Sequence, residues 1–276
     1  MPTQTEKALA FRALHARPGA FVIPNPWDAG SARLLSSLGF EALATTSAGH
    51  AFALGRRDGD VGRAETLANA RAIVEATDLP VSADLENGFG DDPESAAVTI
   101  RAAAAVGLAG GSIEDASGDP ARPIYDLSLA IERVAAAVEA VRALKVPFVL
   151  TARAENFLHG RPDLEDAIRR LQAFEKAGAE VLYAPGLTQL DQIRTLCGSV
   201  SKPVNVVMGL VGGAFSVQQL ADAGVKRISL GSSLARAALG ALMRAAREIR
   251  ENGTFGFAAQ AIPFAEISRQ MRPKGA

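Results

Sequence analysis

The stretch VSADLENGFGDDPESAAVTIRAAAAVGLAGGSIED, residues 81–115, decides the fold of this chain. It begins with a short apolar run, passes through a polar turn into the alanine-rich segment ESAAVTIRAAAAV, and ends in a second apolar run. The apolar runs have the length of buried strands, whereas the alanine-rich segment has the composition of an amphipathic helix. Gly107 stands between that helix and the second run, where a left-handed residue commonly ends a helix. The stretch therefore predicts a strand–helix–strand unit with parallel strands.

The same unit recurs along the whole chain of 276 residues, which contains about eight such apolar runs. Proline precedes the odd-numbered runs and glycine the even-numbered ones, and both residues mark the end of a preceding helix. Eight near-equal units predict an α/β fold, a single (β/α)8 TIM barrel over residues 1–276. The predicted strands are FVIPN from Phe21, ALATT from Ala42, VSADL from Val81, GGSIED from Gly110, FVLTAR from Phe148, VLYAPG from Val181, VNVVMG from Val204 and RISLGS from Arg227.

Helical segments flank the eight units at both ends of the chain. Residues 1–17 predict a short N-terminal helix, and residues 232–276 predict C-terminal helices that a closed barrel does not need. Surplus apolar helix usually packs against a neighbour. We therefore expect the segment 232–276 to make contacts in a homo-oligomer.

Composition restricts the class of partner and the compartment. With 29 basic and 30 acidic residues, and no basic stripe, the chain is not expected to bind nucleic acid. No apolar run approaches a membrane span, and the N-terminus lacks the core of a signal peptide. The one cysteine, Cys197, cannot build a disulfide framework or a thiolate zinc site. These features predict a soluble, cytoplasmic protein without a membrane partner.

Carboxylates follow the third and fourth predicted strands. Asp84 and Glu86 end the third, and Glu114 and Asp115 end the fourth. The carboxyl ends of barrel strands converge on the catalytic face, where several like charges cannot all stay ionised without a counter-ion. Oxygen ligands favour a hard cation, so the cluster predicts Mg²⁺, with Mn²⁺ possible. The alternative is that Asp84 or Glu86 caps the next helix.

Other polar residues at the strand ends are candidates for substrate contact. The fixed fork of Arg153 could bind a substrate carboxylate, or it could pair with Glu114 or Glu155. Asp58, in the loop after the second strand, could act as an acid or base, although an isolated loop aspartate is commonly solvated. Further substrate-binding candidates at the ends of the first two strands are Asn25, Thr46 and Ser47.

The residues at the strand ends also bear on phosphate binding and on Schiff-base chemistry. The Gly231–Ser233 segment opens the last helix and could bind a phosphate on backbone N–H groups, or it could simply cap the helix. No lysine ends a predicted strand, which disfavours a Schiff-base aldolase.

The polar segments at the strand ends, taken in order, resemble the isocitrate lyase and phosphoenolpyruvate mutase superfamily over nearly the whole chain. The matching segments are PNPWDAGSARLL, TTSAGHAFALGRRDGD, SADLENGFG, SIED and TAR. The resemblance implies a barrel that exchanges its eighth helix between subunits of a dimer or tetramer. It also implies that the protein binds magnesium and a small α-keto or α-hydroxy acid.

The resemblance further assigns roles to residues. Asp84 would ligate the metal directly, whereas Glu86 and Glu114 would hold metal-bound water. Asp58 would contact metal-bound water or the departing group, and Arg153 would grip the substrate. The segment that would receive the substrate carboxylate and keto oxygen is Thr46, Ser47 and Ala48.

The chain departs from the family pattern in the loop after the fourth strand. True isocitrate and methylisocitrate lyases carry a Lys-Lys/Arg-Cys-Gly-His loop there, whereas this chain has EDASGDPARPIYD, with Ala116 where mutases have lysine. We therefore expect a magnesium-dependent carbon–carbon lyase that forms a metal-stabilised enolate from a small keto or hydroxy (di)carboxylic acid, with an oxaloacetate decarboxylase as one example of such a reaction. The alternatives are a catalytically weak α-keto-acid-binding protein and a phosphonopyruvate hydrolase or mutase.

Overall fold

The protein forms a barrel of eight parallel strands in a computed structural model that describes residues 2–210 and 214–272. Neighbouring strands follow the order β1-β8-β7-β6-β5-β4-β3-β2. A backbone hydrogen bond of 3.1 Å from Ala44 N to Pro24 O links the two remaining edges. The predicted TIM barrel is therefore confirmed. The strands are β1 Phe21–Ile23, β2 Leu43–Ala44, β3 Val81–Asp84, β4 Gly110–Glu114, β5 Val149–Arg153, β6 Val181–Tyr183, β7 Val204–Val207 and β8 Arg227–Ser229.

Helices surround the barrel and connect its strands. The glycines predicted to end helices all have positive φ, at Gly39, Gly107, Gly178 and Gly224. This conformation is cheap only for glycine, which explains the recurring punctuation of the sequence. The helices are α1 Gln4–Ala16, α2 Ala29–Ser37, α3 Ser47–Ala53, α4 Arg63–Ala76, α5 Pro93–Ala105, α6 Leu127–Arg142, α7 Leu164–Ala177, α8 Leu190–Gly198, α9 Val217–Asp222, α10 Ser233–Asn252 and α11 Phe264–Gln270.

Helix α1 covers the end of the barrel at which the strands begin. Its Phe11 is fully buried in one apolar cluster with Phe21, Val149 and Val181, which point inward from β1, β5 and β6. Burial of such aromatic and aliphatic side chains contributes roughly 1.5–3 kcal/mol each. The barrel is thus closed at this end and open at the opposite end.

The C-terminal helices lie outside the barrel. Helix α10 and the segment after it expose large apolar side chains. A 3-10 helix follows at Gly256–Gln260, and α11 then lies against α2. Residue 1 of the predicted segment 1–17 and residues 273–276 of the segment 232–276 lie outside the described residues. None of the described helices is both long and apolar enough to cross a membrane. The exposed apolar side chains are Leu239, Leu242, Met243, Ile249, Phe255, Ile262 and Phe264.

Candidate active site

A cavity of about 160 Å³ opens at the carboxyl ends of the strands and descends into the barrel. It is lined by seven residues that the sequence marks as site candidates, and two further candidates, Glu86 and Glu114, are not among its lining residues. The seven are Asn25, Thr46, Ser47, Ala48, Asp58, Asp84 and Arg153. One site therefore brings together residues from five segments of the sequence.

Arg153, at the end of β5, is the centre of a network of buried charges. Its Nη1 lies 2.8 Å from Asp84 Oδ1 and 3.0 Å from Glu114 Oε2, and its Nε lies 2.8 Å from Glu155 Oε1. The guanidinium also stands 5.2 Å from the ring centroid of Tyr183. Although burial opposes it, the attraction of the three carboxylates holds the pKa of Arg153 well above its usual value. Arg153 therefore makes the pairing with Glu114 and Glu155 that was the alternative to substrate binding, and Asp84 is an additional partner.

Asp84 is held in place by the end of β2 and the start of α3. Its backbone N–H donates to Thr45 Oγ1 at 3.0 Å, and its Oδ2 accepts from the Ser47 backbone N–H at 3.4 Å. Helix α5 is instead capped by Asp92, whose Oδ1 accepts from Ser95 N at 2.8 Å. Helix capping therefore does not explain the acidic residues at the end of β3.

Glu86 adopts a backbone conformation that is rare for a residue with a side chain. Its φ is +48°, in the left-handed region, and such strain concentrates at functional sites. Burial, together with repulsion from Asp84 and Asp58, raises the pKa of Glu86 to about 8. Without a further cation, this carboxyl therefore favours its protonated form near neutral pH.

Glu114 experiences the same conflict more strongly. Burial, with repulsion from Glu155, Asp84 and Glu86, raises its pKa well above the usual value despite the adjacent Arg153. The strand-end cluster thus carries more carboxyl groups than one guanidinium can neutralise.

The excess of carboxyl groups at the strand ends is compatible with a hydrated divalent cation. Within residues 2–210 and 214–272, no three histidine, cysteine, aspartate or glutamate side chains converge closely enough to hold a metal ion together. A hard cation such as Mg²⁺ commonly keeps several waters and takes one or two carboxylates directly. The excess of carboxyl groups, with the pKa of Glu86 at about 8, fits the added positive charge of such an ion.

The segment after β2 presents backbone groups to the cavity. Thr46 caps α3, with its Oγ1 accepting from Gly49 N at 3.2 Å, which places the Ser47 N–H beside Asp84. Gly49 is required because a Cβ there would lie 2.6 Å from Thr46 Cγ2 and 3.1 Å from Trp27 Cβ. Residues 46–48 can therefore present both hydroxyl and backbone donors to an anionic ligand.

Asp58 stands at the exposed mouth of the cavity. Partial burial of its carboxyl raises its pKa, and Asp84 adds to that effect, whereas a hydrogen bond with the Ser47 side chain opposes it. The loop after β2 therefore brings Asp58 to the cavity, where the residue stays exposed to solvent while its carboxyl contacts Ser47.

Asn25 joins three strands through its side-chain amide. Its Nδ2 donates to Thr45 O at 2.9 Å, and its Oδ1 accepts from Leu230 N at 2.8 Å and from Gly231 N at 3.0 Å. These bonds tie β1 to the ends of β2 and β8. They give Asn25 an architectural role, and its contact with substrate stays a prediction.

A second layer of charged residues holds the site from behind. The Asp115 carboxylate accepts from Glu155 N at 2.8 Å and from Arg170 Nη1 at 3.0 Å. The Arg133 guanidinium, fully buried, donates to the backbone carbonyls of Asn87, Gly90, Asp91 and Asp92 and stands 4.5 Å from the ring centroid of Tyr125. This clamp holds the loop that carries Glu86.

Two ionisable residues of the cavity, Tyr183 on β6 and Arg227 on β8, were missed by reasoning from the sequence. Tyr183 is paired in register with Arg153, and Arg227 is paired in register with Asn205. Burial raises the pKa of the Tyr183 hydroxyl. The sequence shows that alternate positions of a strand share one face, but not whether that face is the inner one.

Comparison with known proteins identifies the family. Residues 11–250 match the model of the phosphoenolpyruvate phosphomutase family. The chain belongs to this family. A provisionally assigned lyase/mutase from Burkholderia cenocepacia J2315 has a solved structure with 59% sequence identity and a TM-score of 0.95, covering 96% of this chain and 95% of the other.

Two further members of the superfamily are lyases by name. A provisional 2-methylisocitrate lyase from Corynebacterium glutamicum is 30% identical over 262 residues, covering 91% of this chain and 83% of the relative. The structure of a 2,3-dimethylmalate lyase is 27% identical, with a TM-score of 0.86, covering 98% of this chain and 95% of the other. The predicted membership in the isocitrate lyase and phosphoenolpyruvate mutase superfamily, a group of enzymes, is confirmed.

Proposed function

We propose that this protein is a magnesium-dependent lyase that cleaves a carbon–carbon bond in a small α-keto or α-hydroxy (di)carboxylic acid. The observation that carries the proposal is the position of Arg153, whose guanidinium binds Asp84 and Glu114 at the cavity that Ser47 also lines. A cationic fork beside an acidic cluster can hold a carboxylate next to a hydrated cation. The names of the similar lyases, with 2-methylisocitrate and 2,3-dimethylmalate as substrates, support the same class of acid.

In this proposal the metal is held by the acidic cluster. Asp84 would be the direct ligand, whereas Glu86 and Glu114 would act through water, consistent with the lack of three converging ligands in the described part of the chain. When bound, Mg²⁺ supplies Lewis-acid stabilisation of the negative charge that develops on the substrate. Mn²⁺ has the same preference for oxygen ligands and could substitute for it.

The chain's own residues would orient the acid. Arg153 would bind a carboxylate of the substrate, while Thr46, Ser47 and Ala48 would donate hydrogen bonds to its carboxylate and keto oxygen. Tyr183 and the apolar side chain of Leu158 close part of the cavity wall, which limits access of water. Such positioning converts the binding energy of the acid into correct alignment of the bond that breaks.

Proton transfer would use a carboxyl group of the site. When a 2-hydroxy acid is cleaved, the hydroxyl proton leaves as the carbon–carbon bond breaks, and the hydroxyl-bearing carbon becomes a keto carbon. The bonding electron pair stays on the neighbouring carbon, which a second proton then quenches. Asp58 suits the first transfer, because its pKa is raised and its carboxyl is hydrogen-bonded to Ser47.

Turnover of a panel of small acids tests the proposal. Purified protein is supplied with Mg²⁺ and with oxaloacetate, malate and 2-methyl- or 2,3-dimethyl-substituted malates, and the released keto acid is measured with and without EDTA. Asp84→Asn should lose metal-dependent turnover, whereas Asp191→Asn, on the exposed surface of α8, should retain it. Because free metal ions decarboxylate oxaloacetate, the Asp84→Asn protein also supplies the background rate.

The same panel decides between the lyase and its alternatives. Phosphate release from phosphonopyruvate, without cleavage of the other acids, would replace the lyase by carbon–phosphorus chemistry. Tight binding by calorimetry with no turnover of any acid would identify a keto-acid-binding protein instead.

The proposal includes assembly into a dimer or tetramer by exchange of C-terminal helices. Exposed apolar side chains on α10, among them Leu242 and Met243, support it because a single-chain surface rarely keeps such a face uncovered. Light scattering of the wild-type protein and of the Leu242→Glu variant tests it. A monomeric wild-type protein would contradict the assembly but not the proposed chemistry.

A further inference from the structure

The cavity continues below the acidic cluster into a polar floor within the barrel. TIM-barrel interiors are usually filled by bulky branched side chains. Here the layer beneath Asp84 and Arg153 contains small or polar residues, which leave the cavity open to that depth. The residues of this layer that line the cavity are Ala44, Ser82, Asn205 and Arg227.

Arg227 is the charged residue of this floor. It is 6% exposed, its Nε donates to Asn205 Oδ1 at 2.8 Å, and its Nη2 donates to Thr151 Oγ1 at 3.0 Å. Its Nη1 is buried without a hydrogen-bond partner. Asn205 is itself fixed, because its Nδ2 donates to Ser229 Oγ at 3.0 Å. The guanidinium is therefore rigidly oriented, and one edge of it is left unsatisfied.

No carboxylate balances this buried charge among the described residues. Arg227 forms none of the ion pairs found within residues 2–210 and 214–272, in contrast to Arg153 and Arg170. Burial, together with the nearby charge of Arg153, lowers the pKa of Arg227 to about 10, although Tyr183 opposes this effect. The group still remains cationic at neutral pH. An unpaired buried cation and an unused donor both call for an anion.

The distance from the upper site suits the length of a diacid. Thr151, which accepts from Arg227, precedes Arg153 by two residues on β5, and two strand residues span about 7 Å. This separation is comparable to the length of a four- or five-carbon dicarboxylate. The open cavity connects the two levels, since Arg153 and Arg227 both line it.

We propose that Arg227 and Asn205, with Thr151 orienting the guanidinium of Arg227, form an anion subsite at the cavity floor that receives the second carboxylate of a dicarboxylic keto or hydroxy acid. The subsite makes Arg227 a residue that determines specificity, selecting diacids over monoacids of the same chain length. The inference rests on the proposed function for the keto-acid end of the substrate. Free inorganic anions share the same chemistry, so the experiment separates them from a substrate carboxylate.

Calorimetry with two matched pairs of acids tests the subsite. The full-length protein with saturating Mg²⁺ is titrated with 2-oxobutyrate and oxaloacetate, and with 2-oxopentanoate and 2-oxoglutarate. The members of each pair have the same number of carbons and differ in the distal carboxylate. We expect wild-type protein to prefer the diacid of at least one pair by about tenfold or more.

Variants assign that preference to the floor. Arg227→Met should remove the preference while keeping monoacid affinity within about twofold, and Arg227→Lys should restore part of it. Thr151→Val removes the hydroxyl that orients Arg227, so it should reduce the preference for the diacid. If Arg227→Met does not fold, Thr151→Val is the variant that tests the subsite. Arg194→Met, at an exposed arginine of α8, is the matched control and should change neither affinity.

The outcomes separate this inference from the proposed function. If wild-type protein binds both acids of each pair equally, or if Arg227→Met and Thr151→Val keep the preference, the subsite is refuted and the keto-acid site stands. If wild-type protein binds none of the four acids, the keto-acid form of the proposed function fails and the subsite with it, while turnover of the malates still decides the hydroxy-acid form. A further outcome would assign the floor to an inorganic anion and overturn its role in substrate binding. In that case wild-type protein binds both acids of a pair equally, and chloride raises its melting temperature but does not raise that of Arg227→Met.

Discussion

Arg153 Nη1 lies 2.8 Å from Asp84 Oδ1, although Asp84 is the residue expected to bind the metal. When no metal is bound, the guanidinium therefore gives the carboxylate of Asp84 part of the positive charge that a metal cation would also give it. The remaining carboxylates of the cluster, Glu86 and Glu114, keep raised pKa values beside it. Arg153 thus stabilises the acidic cluster without neutralising it.

Replacing Arg153 by methionine should destabilise the protein strongly. The change leaves the buried Glu155 and the partly buried Asp84 and Glu114 without their shared cation, and loss of one partner of a buried ion pair costs about 3–5 kcal/mol. The free energy of unfolding from urea titration measures the loss. Mg²⁺ should restore more stability to Arg153→Met than to the wild-type protein, because the ion binds the uncompensated carboxylates of the folded state.

The control for this prediction is an arginine that pairs with carboxylate on the surface. Arg12→Met breaks an exposed pair with Glu180 and should cost less than about 1 kcal/mol, with no response to Mg²⁺. Equal losses for the two variants would contradict the buried network. A stability of Arg153→Met that is insensitive to Mg²⁺ would argue against a cation at the cluster.

Arg133 should stabilise the loop that carries Glu86 more than the neighbouring Tyr125 does. Arg133→Met removes the guanidinium from four backbone carbonyls and leaves buried acceptors unsatisfied, so it should lower the free energy of unfolding by about 3 kcal/mol or more. Tyr125→Phe removes a hydroxyl that donates to Asp91 Oδ1 at 2.7 Å and accepts from Asn87 Nδ2 at 3.0 Å, and should lower it by only about 1 kcal/mol.

Hydrogen exchange locates the effect of these two variants. Amides of the loop 85–92 should lose protection in Arg133→Met while the strands of the barrel keep theirs. Unchanged protection of this loop would mean that Arg133 acts through packing of α6 alone. The Thr99 hydroxyl, which donates to Gly88 O at 2.8 Å, would then be the main tether of the loop.

Gly49→Ala should disturb the substrate-binding segment through direct overlap. The added methyl would lie 2.6 Å from Thr46 Cγ2, so Thr46 must move from its position at the start of α3. We expect a loss of about 1–3 kcal/mol in stability, together with weaker ligand binding. Gly198→Ala is the matched control, because nothing lies within 4 Å of the new Cβ at the end of α8. That change should be neutral or slightly stabilising in thermal unfolding, and similar effects for both variants would contradict the packing argument.

The strand–helix repeat was readable from the sequence because its punctuation has a local cause. Gly107 and Gly178 adopt the positive φ that ends a helix, and this requirement is visible in one residue. Residues at the strand ends, such as Asp84 and Arg153, could also be predicted to meet, since barrel topology brings all strand ends to one face.

The inner layers of the barrel were less predictable. Whether Arg227 faces the cavity depends on the register between β7 and β8, and an apolar run does not specify which alternate positions point inward. The attachment of Asn25 to Leu230 and Gly231 joins the first strand to the last, a contact between residues about two hundred positions apart. Contacts of that kind follow from the closed fold and leave no local pattern in the sequence.

His15 should make the stability of the protein depend on pH. It is buried at the closed end of the barrel, where its ring meets Phe11 and Phe21 edge-on with centroids 4.7 and 5.1 Å apart, and its Nδ1 lies 2.8 Å from Phe11 O. Burial, helped by the charges of Arg227 and Lys226, lowers its pKa to about 3. The unfolded chain, with a histidine pKa near 6.5, therefore binds a proton that the folded protein excludes between those two values.

The stability that the protein gains while His15 is neutral is complete above about pH 6.5 and is lost as the pH falls toward 3. Between pH 7 and pH 5 it should decrease by about 2 kcal/mol, since one pKa unit corresponds to about 1.4 kcal/mol. His15→Gln keeps a polar side chain and removes the titration, so wild-type protein should lose more stability than this variant over that interval. Urea unfolding of both proteins at the two pH values measures the difference, in which the effects of the shared carboxylates cancel. A difference between the proteins that does not change with pH would show that His15 is protonated in the folded state as easily as in the unfolded chain.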